Sequence, residues 1–332
     1  MTTSDKVKSV LDKVLVPGVK RSLVKMNLIK DIIASDGMVK VTLSNASLME
    51  ETREWLKSRV NQVLCDIDGV KSVDVEFTAA KPKELNNIKN VIAVMSGKGG
   101  VGKSLVSSLA AIALQRQGYE TGILDADITG PSIPKMFGIT GHPPIAESGF
   151  LPLPSQSGIE VMSLNLLLPT EDDAVIWRGP LIGHTITQFW EDVLWGNLDY
   201  LIVDLPPGTA DAPLTVLQQL PISGILIVFT PQDLTAMVVR KAVKMAMQMK
   251  KPILGVVENM SYLYVPEIKK KMEIFGKSHA AEMAQAAGAP LLGQLPIDPA
   301  LATLCDEGNI ERYDSEAYNS FTQKLTGILV KK

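Results

Sequence analysis

A glycine-rich segment at residues 97–104, GKGGVGKS, constrains the fold of this 332-residue chain more than any other feature. It follows a short apolar run, Val91–Met95, and leads into a helical pattern at Leu105–Arg116. A strand, a glycine-rich loop and a helix in this order form a phosphate cradle, because backbone N–H groups of the loop and of the helix N-terminus point at the anion. Lys103 is then expected to reach the terminal phosphates, and the Ser104 hydroxyl to bind Mg²⁺.

Short apolar runs rich in branched residues recur after residue 90. They are Val91–Met95, Thr121–Leu124, Tyr200–Val203, Ile225–Phe229 and Ile253–Val257. Runs of this kind, alternating with helical patterns, are typical of parallel strands that helices cover on both faces. We therefore predict an α/β fold at residues 90–332, a doubly wound, mostly parallel sheet of the P-loop NTPase type.

Residues 1–79 follow a different pattern, which predicts a small α+β domain. The expected elements are a helix ending before Pro17, strands at Leu28–Ala34 and Met38–Ser44 joined by the turn Ser35-Asp36-Gly37, a helix at Ser47–Cys65, and a strand at Val73–Phe77. The second helix is expected to bury an apolar stripe formed by Trp55, Leu56, Val60, Val63 and Leu64. The polar residues 80–89 are interpreted as a linker between the two domains.

Charge and composition exclude several classes of protein. The chain has 33 basic and 36 acidic residues, a net charge of -3, and no basic block, so we expect no nucleic-acid partner. We find no secretory signal and no apolar run of about 18 residues, so a membrane span is not expected. The two cysteines, Cys65 and Cys305, form no CxxC pair, which argues against a disulfide scaffold. These features favour a cytoplasmic protein.

Three aspartates follow or end the predicted strands beside the glycine-rich loop. Asp125 ends the strand at Thr121–Leu124, Asp127 comes two residues later, and Asp204 ends the strand at Tyr200–Val203. A phosphoryl-transfer site needs one carboxylate near the metal ion and another to orient the attacking water. Any one of these aspartates alone would be interpreted as a solvated turn or a helix cap.

A second lysine, Lys98, stands inside the loop, and the pattern KGGVGKS resembles the deviant Walker A motif of the MinD, ParA and nitrogenase iron protein family. The resemblance implies an ATP-dependent homodimer in which Lys98 reaches the nucleotide of the partner subunit. It places Asp125 on the Mg²⁺ side, together with Ser104 and Asp204, and makes Lys98, Lys103 and Asp127 the catalytic residues. The nucleotide-binding residues it implies are Gly97, Lys98, Gly99, Gly100, Val101, Gly102, Lys103 and Ser104, with Asn259 and Pro296 on the two sides of the adenine.

Four further blocks resemble the Mrp/ApbC family of ATP-binding iron–sulfur cluster carriers. They are Asp125–Ser132, Trp177–Pro180, Trp195–Thr209 and Gly255–Ser261. The resemblance covers nearly all of residues 90–310, and the N-terminal domain is similar to the SufT-like domain found in many members. It implies slow ATP hydrolysis, in the manner of a conformational switch, in cluster assembly or transfer.

One departure from this family concerns the cluster site itself. Carriers have a CxxC pair after the block that corresponds to Gly255–Ser261, whereas the segment Ser261–Gly276 of this chain contains no cysteine. In the small domain, Asn45-Ala46-Ser47 stands where relatives often have a cysteine before proline. Cys65 and Cys305 are expected to be small buried side chains. The three histidines, His142, His184 and His279, are scattered and have no metal-site spacing.

The sequence supports an Mrp-type ATPase that acts with apoproteins or iron–sulfur assembly proteins as an accessory factor, because its cluster-binding pair is missing. The alternative is a MinD/ParA-like switch whose ATP-bound dimer binds a membrane or a protein. Its support is an apolar stripe, Tyr318, Phe321, Leu325, Ile328 and Leu329, followed by Lys331-Lys332. A metabolic ATPase or kinase is a third possibility, for which no second-substrate motif is found.

Overall fold

The structure, a computed structural model, describes residues 3–127, 130, 132–167, 179–209 and 211–329. The chain forms two compact units. The first contains Met1–Lys89, His142–Pro154 and Gln188–Leu198, and the second contains Asn90–Gly141, Ser155–Thr187 and Asp199–Lys332.

The first unit is built on a three-stranded sheet. Its elements up to residue 85 are α1 (Thr3–Leu11), β1 (Ile29–Ser35), β2 (Met38–Ser44), α2 (Glu50–Cys65), β3 (Ser72–Thr78) and α3 (Pro82–Leu85). The strand order is β1-β2-β3, with β1 antiparallel and β3 parallel to β2. Ser35 pairs with Met38 across a two-residue turn, in which Asp36 and Gly37 have φ angles of 53° and 85°. Positive φ at both positions matches the twist of the strands, and it confirms the predicted hairpin.

Helix α2 buries a narrower stripe than the sequence suggests. Leu56, Val60 and Leu64 are buried, but Trp55 is 46% exposed, so its predicted place in the stripe was wrong. Trp55 precedes Leu56 by one residue, and on a helix of 3.6 residues per turn it points about 100° away from the buried face. The helix also begins at Glu50 and not at Ser47, whose φ of 55° lies in the left-handed region.

The rest of the chain alternates strands and helices, as predicted for an α/β fold. The strands are β4 (Asn87–Ser96), β5 (Thr121–Asp125), β6 (Ile145–Ala146), β7 (Gly149–Phe150), β8 (Leu153–Pro154), β9 (Glu160–Ser163), β10 (Asn197–Asp204), β11 (Gly224–Phe229), β12 (Ile253–Glu258), β13 (Leu263–Val265), β14 (Lys270–Met272) and β15 (Leu291–Gln294). The helices are α4 (Lys103–Arg116), α5 (Ile133–Met136), α6 (Gly179–Asp192), α7 (Asp211–Gln219), α8 (Asp233–Gln248), α9 (Ala280–Ala287), α10 (Pro299–Asp306) and α11 (Glu316–Leu329).

The main sheet of the second unit has the strand order β15-β12-β11-β4-β10-β5-β9. The neighbours β11–β4, β11–β12, β12–β15, β10–β5 and β5–β9 pair in parallel. All six residues of β11 and all five of β5 are buried, as expected for strands covered on both faces. The predicted α/β class and its five strands are confirmed. Sequence reasoning missed β9 and β15, because these four-residue strands include polar residues and lack a long apolar run.

Helix α11 buries its apolar stripe within the second unit. Tyr318, Phe321 and Leu325 are buried, and the helix packs against α4 and β15. The Tyr318 hydroxyl donates a hydrogen bond to the carbonyl of Leu109 at 3.3 Å. These three side chains are therefore covered by their own unit, while Lys331 and Lys332 lie outside the described residues. Within the described part of the chain, none of the helices has the length and apolar character needed to cross a membrane.

Candidate functional site

The glycine-rich loop joins the buried strand β4 to helix α4. Gly100 and Gly102 have φ angles of 78° and 77°, which L side chains rarely adopt. Gly102 is the N-cap of α4 and offers no side-chain acceptor to the first-turn N–H groups of the helix. A Cβ atom at Gly102 would lie 2.1 Å from Nδ2 of Asn259, so a side chain there would have to displace the buried Asn259 amide. The N–H groups of the first turn have no partner within the helix, and behind a glycine loop they fit a phosphate group.

Lys103, the first residue of α4, lies among carboxylates. Its Nζ is 2.7 Å from Oδ2 of Asp204 and 3.5 Å from Oδ2 of Asp127, and the side chain is only 5% exposed. Burial disfavours the charged amine, but the surrounding carboxylates, Asp204 first, outweigh burial and raise the pKa of Lys103. The lysine therefore keeps its positive charge in a buried position beside the loop.

Asp204 is the centre of a small hydrogen-bonded group at the end of β10. Ser104 Oγ donates to Oδ2 of Asp204 at 2.5 Å, and Ser107 Oγ donates to Oδ1 at 2.5 Å. Sequence reasoning missed Ser107. Its spacing could have revealed it, since residues three and four apart share one face of a helix, and Ser107 follows Ser104 by three.

Asp125 stands next to Asp204 in the parallel pairing of β5 and β10. It is 1% exposed and accepts hydrogen bonds from the backbone N–H of Asp127 at 3.2 Å and from Ser163 Oγ at 3.2 Å. Burial, followed by the charge of Asp204, raises the pKa of Asp125 to about 8. A second negative charge beside Asp204 is therefore unfavourable, although Lys103 offsets part of the repulsion.

The oxygen donors of this group fit a magnesium ion. Ser104 supplies a hydroxyl, and Asp125 and Asp204 supply carboxylates from adjacent strand ends; Mg²⁺ prefers such hard oxygen ligands and keeps several of its waters. A cation there would compensate two buried carboxylates that repel each other. No group of three or more His, Cys, Asp or Glu side chains suited to a metal ion occurs in the part of the chain that the structure describes. The hydroxyl of Ser104 and water would therefore complete the coordination.

Lys98 lies in the same loop but contacts a different element. Its Nζ donates to Oε1 of Gln232 at 2.5 Å, and its carbonyl accepts from Ser96 Oγ at 3.0 Å. Gln232 is the N-cap residue of α8. Sequence reasoning did not identify Gln232, because a glutamine at the start of a helix gives no chemical signal.

The two predicted adenine-binding residues lie in different surroundings. Asn259 is 1% exposed, and its Nδ2 donates to the carbonyl of Val101 at 2.9 Å, so this side chain is attached to the glycine-rich loop. Pro296 lines a cavity of about 860 Å³ together with Tyr262 and Ile297, and none of residues 97–104 lines that cavity. The structure brings Asn259 to the loop, while the joint role of Asn259 and Pro296 stays a prediction.

The cysteines do not form a site. Cys65, in the first unit, is exposed, so the expectation that it is buried was wrong; the last turn of α2 turns it away from the core. Cys305, in the second unit, is partly buried, and burial together with Asp306 raises the pKa of its thiol to about 11. The segment Ser261–Gly276, in which the resemblance led us to look for a CxxC pair, contains the hairpin β13–β14.

Several residues of the predicted motifs cannot be placed. Ile128, Thr129, Pro131, Trp177 and Arg178 lie outside the described residues, as does the side chain of His184.

Comparisons with known proteins show the family of the chain. Residues 87–329 match the profile of the NUBPL iron-transfer P-loop NTPases, and residues 4–77 match that of an iron–sulfur cluster assembly protein family. An iron–sulfur cluster carrier protein of Clostridium perfringens is 48% identical over 238 residues, 69% of this chain and 84% of the relative. A carrier protein of Synechocystis is 38% identical over 321 residues, covering 93% of this chain and 91% of the relative.

Solved structures show the same fold. A nucleotide-binding protein of Archaeoglobus fulgidus in complex with ADP is 45% identical, with a TM-score of 0.64, and covers 72% of this chain and 94% of its own. The cell division ATPase MinD of Pyrococcus furiosus, 22% identical with a TM-score of 0.51, covers 73% of this chain and 99% of its own. The likeness to MinD concerns the fold alone.

Proposed function

The chain belongs to the family of NUBPL iron-transfer P-loop NTPases, and on that premise we propose that it hydrolyses ATP in the assembly of iron–sulfur clusters or their transfer to apoproteins. The observation that carries the proposal is the group formed by Lys103, Ser104, Ser107 and Asp204 behind a loop that requires glycine. The family profile and the carrier relatives support the link to iron–sulfur clusters.

The nucleotide site works by positioning and by charge. The N–H groups of residues 97–104 and the amine of Lys103 would hold the phosphates of ATP, which is the main catalytic contribution in phosphoryl transfer. Ser104, Asp125 and Asp204 would hold Mg²⁺, which supplies positive charge at the phosphates when bound. Asp127, whose carboxylate lies 3.5 Å from Lys103, is proposed to orient the attacking water.

We further propose that hydrolysis takes place in a homodimer and involves Lys98. In this structure Lys98 contacts Gln232 of its own chain, so the lysine has to leave this partner before it can reach a nucleotide on a second subunit. Because hydrolysis then has to wait until the dimer has formed and Lys98 has left Gln232, we expect slow turnover, as in a switch. The cytoplasm is the proposed location.

Because the CxxC pair is missing, we propose that this chain acts as an accessory factor and does not itself carry the cluster. Iron–sulfur clusters are usually held by cysteine thiolates. The two cysteines present lie in different units, and in the described residues neither belongs to a group of three or more His, Cys, Asp or Glu side chains that could hold a metal ion. The proposed domain organisation is a SufT-like domain at residues 1–79, a linker at 80–89 and the ATPase domain at 90–332. The proposed partners are iron–sulfur assembly proteins and apoprotein clients.

A transfer assay tests this proposal. A cluster-loaded scaffold protein is mixed with an apoenzyme that regains activity on receiving a [4Fe–4S] cluster, with and without this protein and ATP. We expect faster recovery only when the wild-type protein and ATP are both present, and no acceleration by Lys98→Ala. Recovery at the same rate in all mixtures would contradict the proposed function.

A further inference from the structure

Asn259 joins the end of strand β12 to the glycine-rich loop. Its Nδ2 donates a hydrogen bond to the carbonyl of Val101 at 2.9 Å, across 158 positions of sequence. In the main sheet, strand β11 separates β12 from β4, so the loop that follows β4 begins two strands away from Asn259. The loop is therefore held by a third element, in addition to the strand and the helix that it connects.

The contact between Asn259 and the loop is buried. Asn259 and Val101 are each 1% exposed, and a Cβ atom placed on Gly102 would lie 2.1 Å from the Asn259 amide nitrogen. Polar groups in such surroundings are almost always hydrogen-bonded, because water cannot replace a lost partner. If the Asn259 amide were removed, the carbonyl of Val101 would lose this bond in a buried position, and the loop would have to move to restore it.

The same bond fixes the direction of the next peptide N–H group. In a trans peptide, such as the one between Val101 and Gly102, the carbonyl and the N–H point to opposite sides. Because the Val101 carbonyl is turned toward Asn259, the N–H of Gly102 points away from Asn259. Gly102 is the N-cap of α4, so its N–H is one of the donors at the helix N-terminus that suit a phosphate group.

The position of Asn259 is itself fixed by its neighbours. Its backbone N–H donates to the carbonyl of Phe229 at 2.8 Å, at the end of β11. The preceding residue, Glu258, is buried and accepts a hydrogen bond from Ser261 Oγ at 2.6 Å, which closes the turn. Met260, between them, has a φ of 55°, a conformation that persists in such a residue only where the surroundings impose it. Asn259 thus stands on a well-held turn, as a side chain that positions another element requires.

We propose that Asn259 is a positioning residue for phosphate binding. Its amide holds Val101, and with it the N–H of Gly102, in the orientation that donates to a phosphate before any nucleotide is bound. This inference rests on the proposed ATP site and adds to the expected contact of Asn259 with adenine. An asparagine amide has two N–H donors and a carbonyl acceptor, so a bond to Val101 is compatible with a bond to a base. Asn259 should therefore matter even for a ligand that has no base.

Magnesium tripolyphosphate, which has phosphates but no base, tests the proposal on the full-length protein by titration calorimetry. In Asn259→Ala we expect its Kd to rise about tenfold or more, since the change leaves a buried carbonyl of the loop without this partner. Ser261→Ala is the matched control. Ser261 is buried in the same turn, but its hydroxyl donates to Glu258, so the Kd should stay within about twofold of the wild-type value.

Hydrogen exchange in the absence of ligand is the second measurement. We expect faster exchange in residues 97–104 of Asn259→Ala, and the wild-type rates there in Ser261→Ala. An unchanged Kd for tripolyphosphate in Asn259→Ala would overturn the proposal. Faster exchange spread over the whole second unit would also overturn it, because it would show a role in stability alone.

The wild-type protein separates this proposal from the proposed function. If it binds ATP but not tripolyphosphate, the loop is not held ready for phosphate and the positioning role fails, while the ATP site stands. If it binds neither ligand, the proposed ATPase fails and the positioning role fails with it.

Discussion

The amine of Lys103 lies 2.7 Å from Oδ2 of Asp204, a buried ion pair between the end of the glycine-rich loop and the end of strand β10. Both side chains are almost completely buried, so neither charge is compensated by water. This pair links the group expected to hold phosphate with the carboxylate expected on the magnesium side. A change at either residue should therefore affect the entire nucleotide site.

Replacing Lys103 by alanine should abolish useful ATP binding. The change removes the amine that lies 2.7 Å from Oδ2 of Asp204 and 3.5 Å from Oδ2 of Asp127, and it leaves the buried charge of Asp204 facing the phosphates. We expect the Kd for ATP to rise about 100-fold or more, since an unpaired buried charge costs about 3–5 kcal/mol. Titration calorimetry measures the affinity, and an unchanged circular dichroism spectrum serves as the control for folding. Near-normal affinity would contradict the assigned role of Lys103.

Lys98→Ala should separate binding from turnover. In the described residues Lys98 contacts Gln232 and not the Asp204 group, so ATP affinity should change by no more than about threefold. Turnover should fall by about 100-fold, because charge supplied to the transition state by a second subunit is worth at least that much. Steady-state phosphate release and light scattering with ATP measure turnover and dimer formation. Turnover at the wild-type rate would rule out the deviant Walker A role.

Ser107→Ala should lower turnover about tenfold while ATP affinity changes little. The variant loses the hydroxyl that donates to Oδ1 of Asp204, and a hydrogen bond to a charged group contributes about 1.5–3 kcal/mol. Ser108→Ala is the matched control, because Ser108 is also buried on α4 but donates to the backbone carbonyl of Ser104 at 2.9 Å. Equal effects of the two changes would show that Ser107 does not position Asp204.

Gly102→Ala and Gly100→Ala form a second matched pair. Both residues have a positive φ, which costs alanine about 1–2 kcal/mol, but only at Gly102 does a Cβ atom meet Asn259. We expect Gly102→Ala to lower Tm further than Gly100→Ala and to weaken ATP binding more. Adding Asn259→Ala to Gly102→Ala should recover part of the lost Tm. If Asn259→Ala gives no recovery, the need for glycine at position 102 does not come from the close contact with Asn259.

The two cysteines should react at very different rates. Cys65 is exposed, whereas the pKa of Cys305 is raised to about 11, so little of its thiolate is present at pH 8. Alkylation with iodoacetamide, followed by mass spectrometry, should modify Cys65 first, and the rate at Cys305 should rise as pH approaches 11. Equal rates at pH 8 would contradict the described surroundings of Cys305.

The sequence predicted the main residues of the site because the patterns that indicate them are local. A glycine loop between a strand and a helix, and aspartates at strand ends, place Lys103, Asp125 and Asp204 at one edge of a parallel sheet. The partners of these residues depend on tertiary packing instead. Gln232 lies 134 residues from Lys98, and no local pattern predicts that contact. Trp55 was misplaced because a large apolar residue next to a buried stripe looks the same in sequence as one within it.

We infer that this chain keeps the ATPase site of its family without a thiolate pair for a cluster. The most direct measurement is anaerobic reconstitution with iron and sulfide, followed by counting iron per protomer and measuring ATP turnover on the same sample. We expect ATP turnover without a stoichiometric cluster. A stoichiometric cluster that disappears on Cys65→Ser or Cys305→Ser would contradict it and would make the protein a carrier with a different set of ligands.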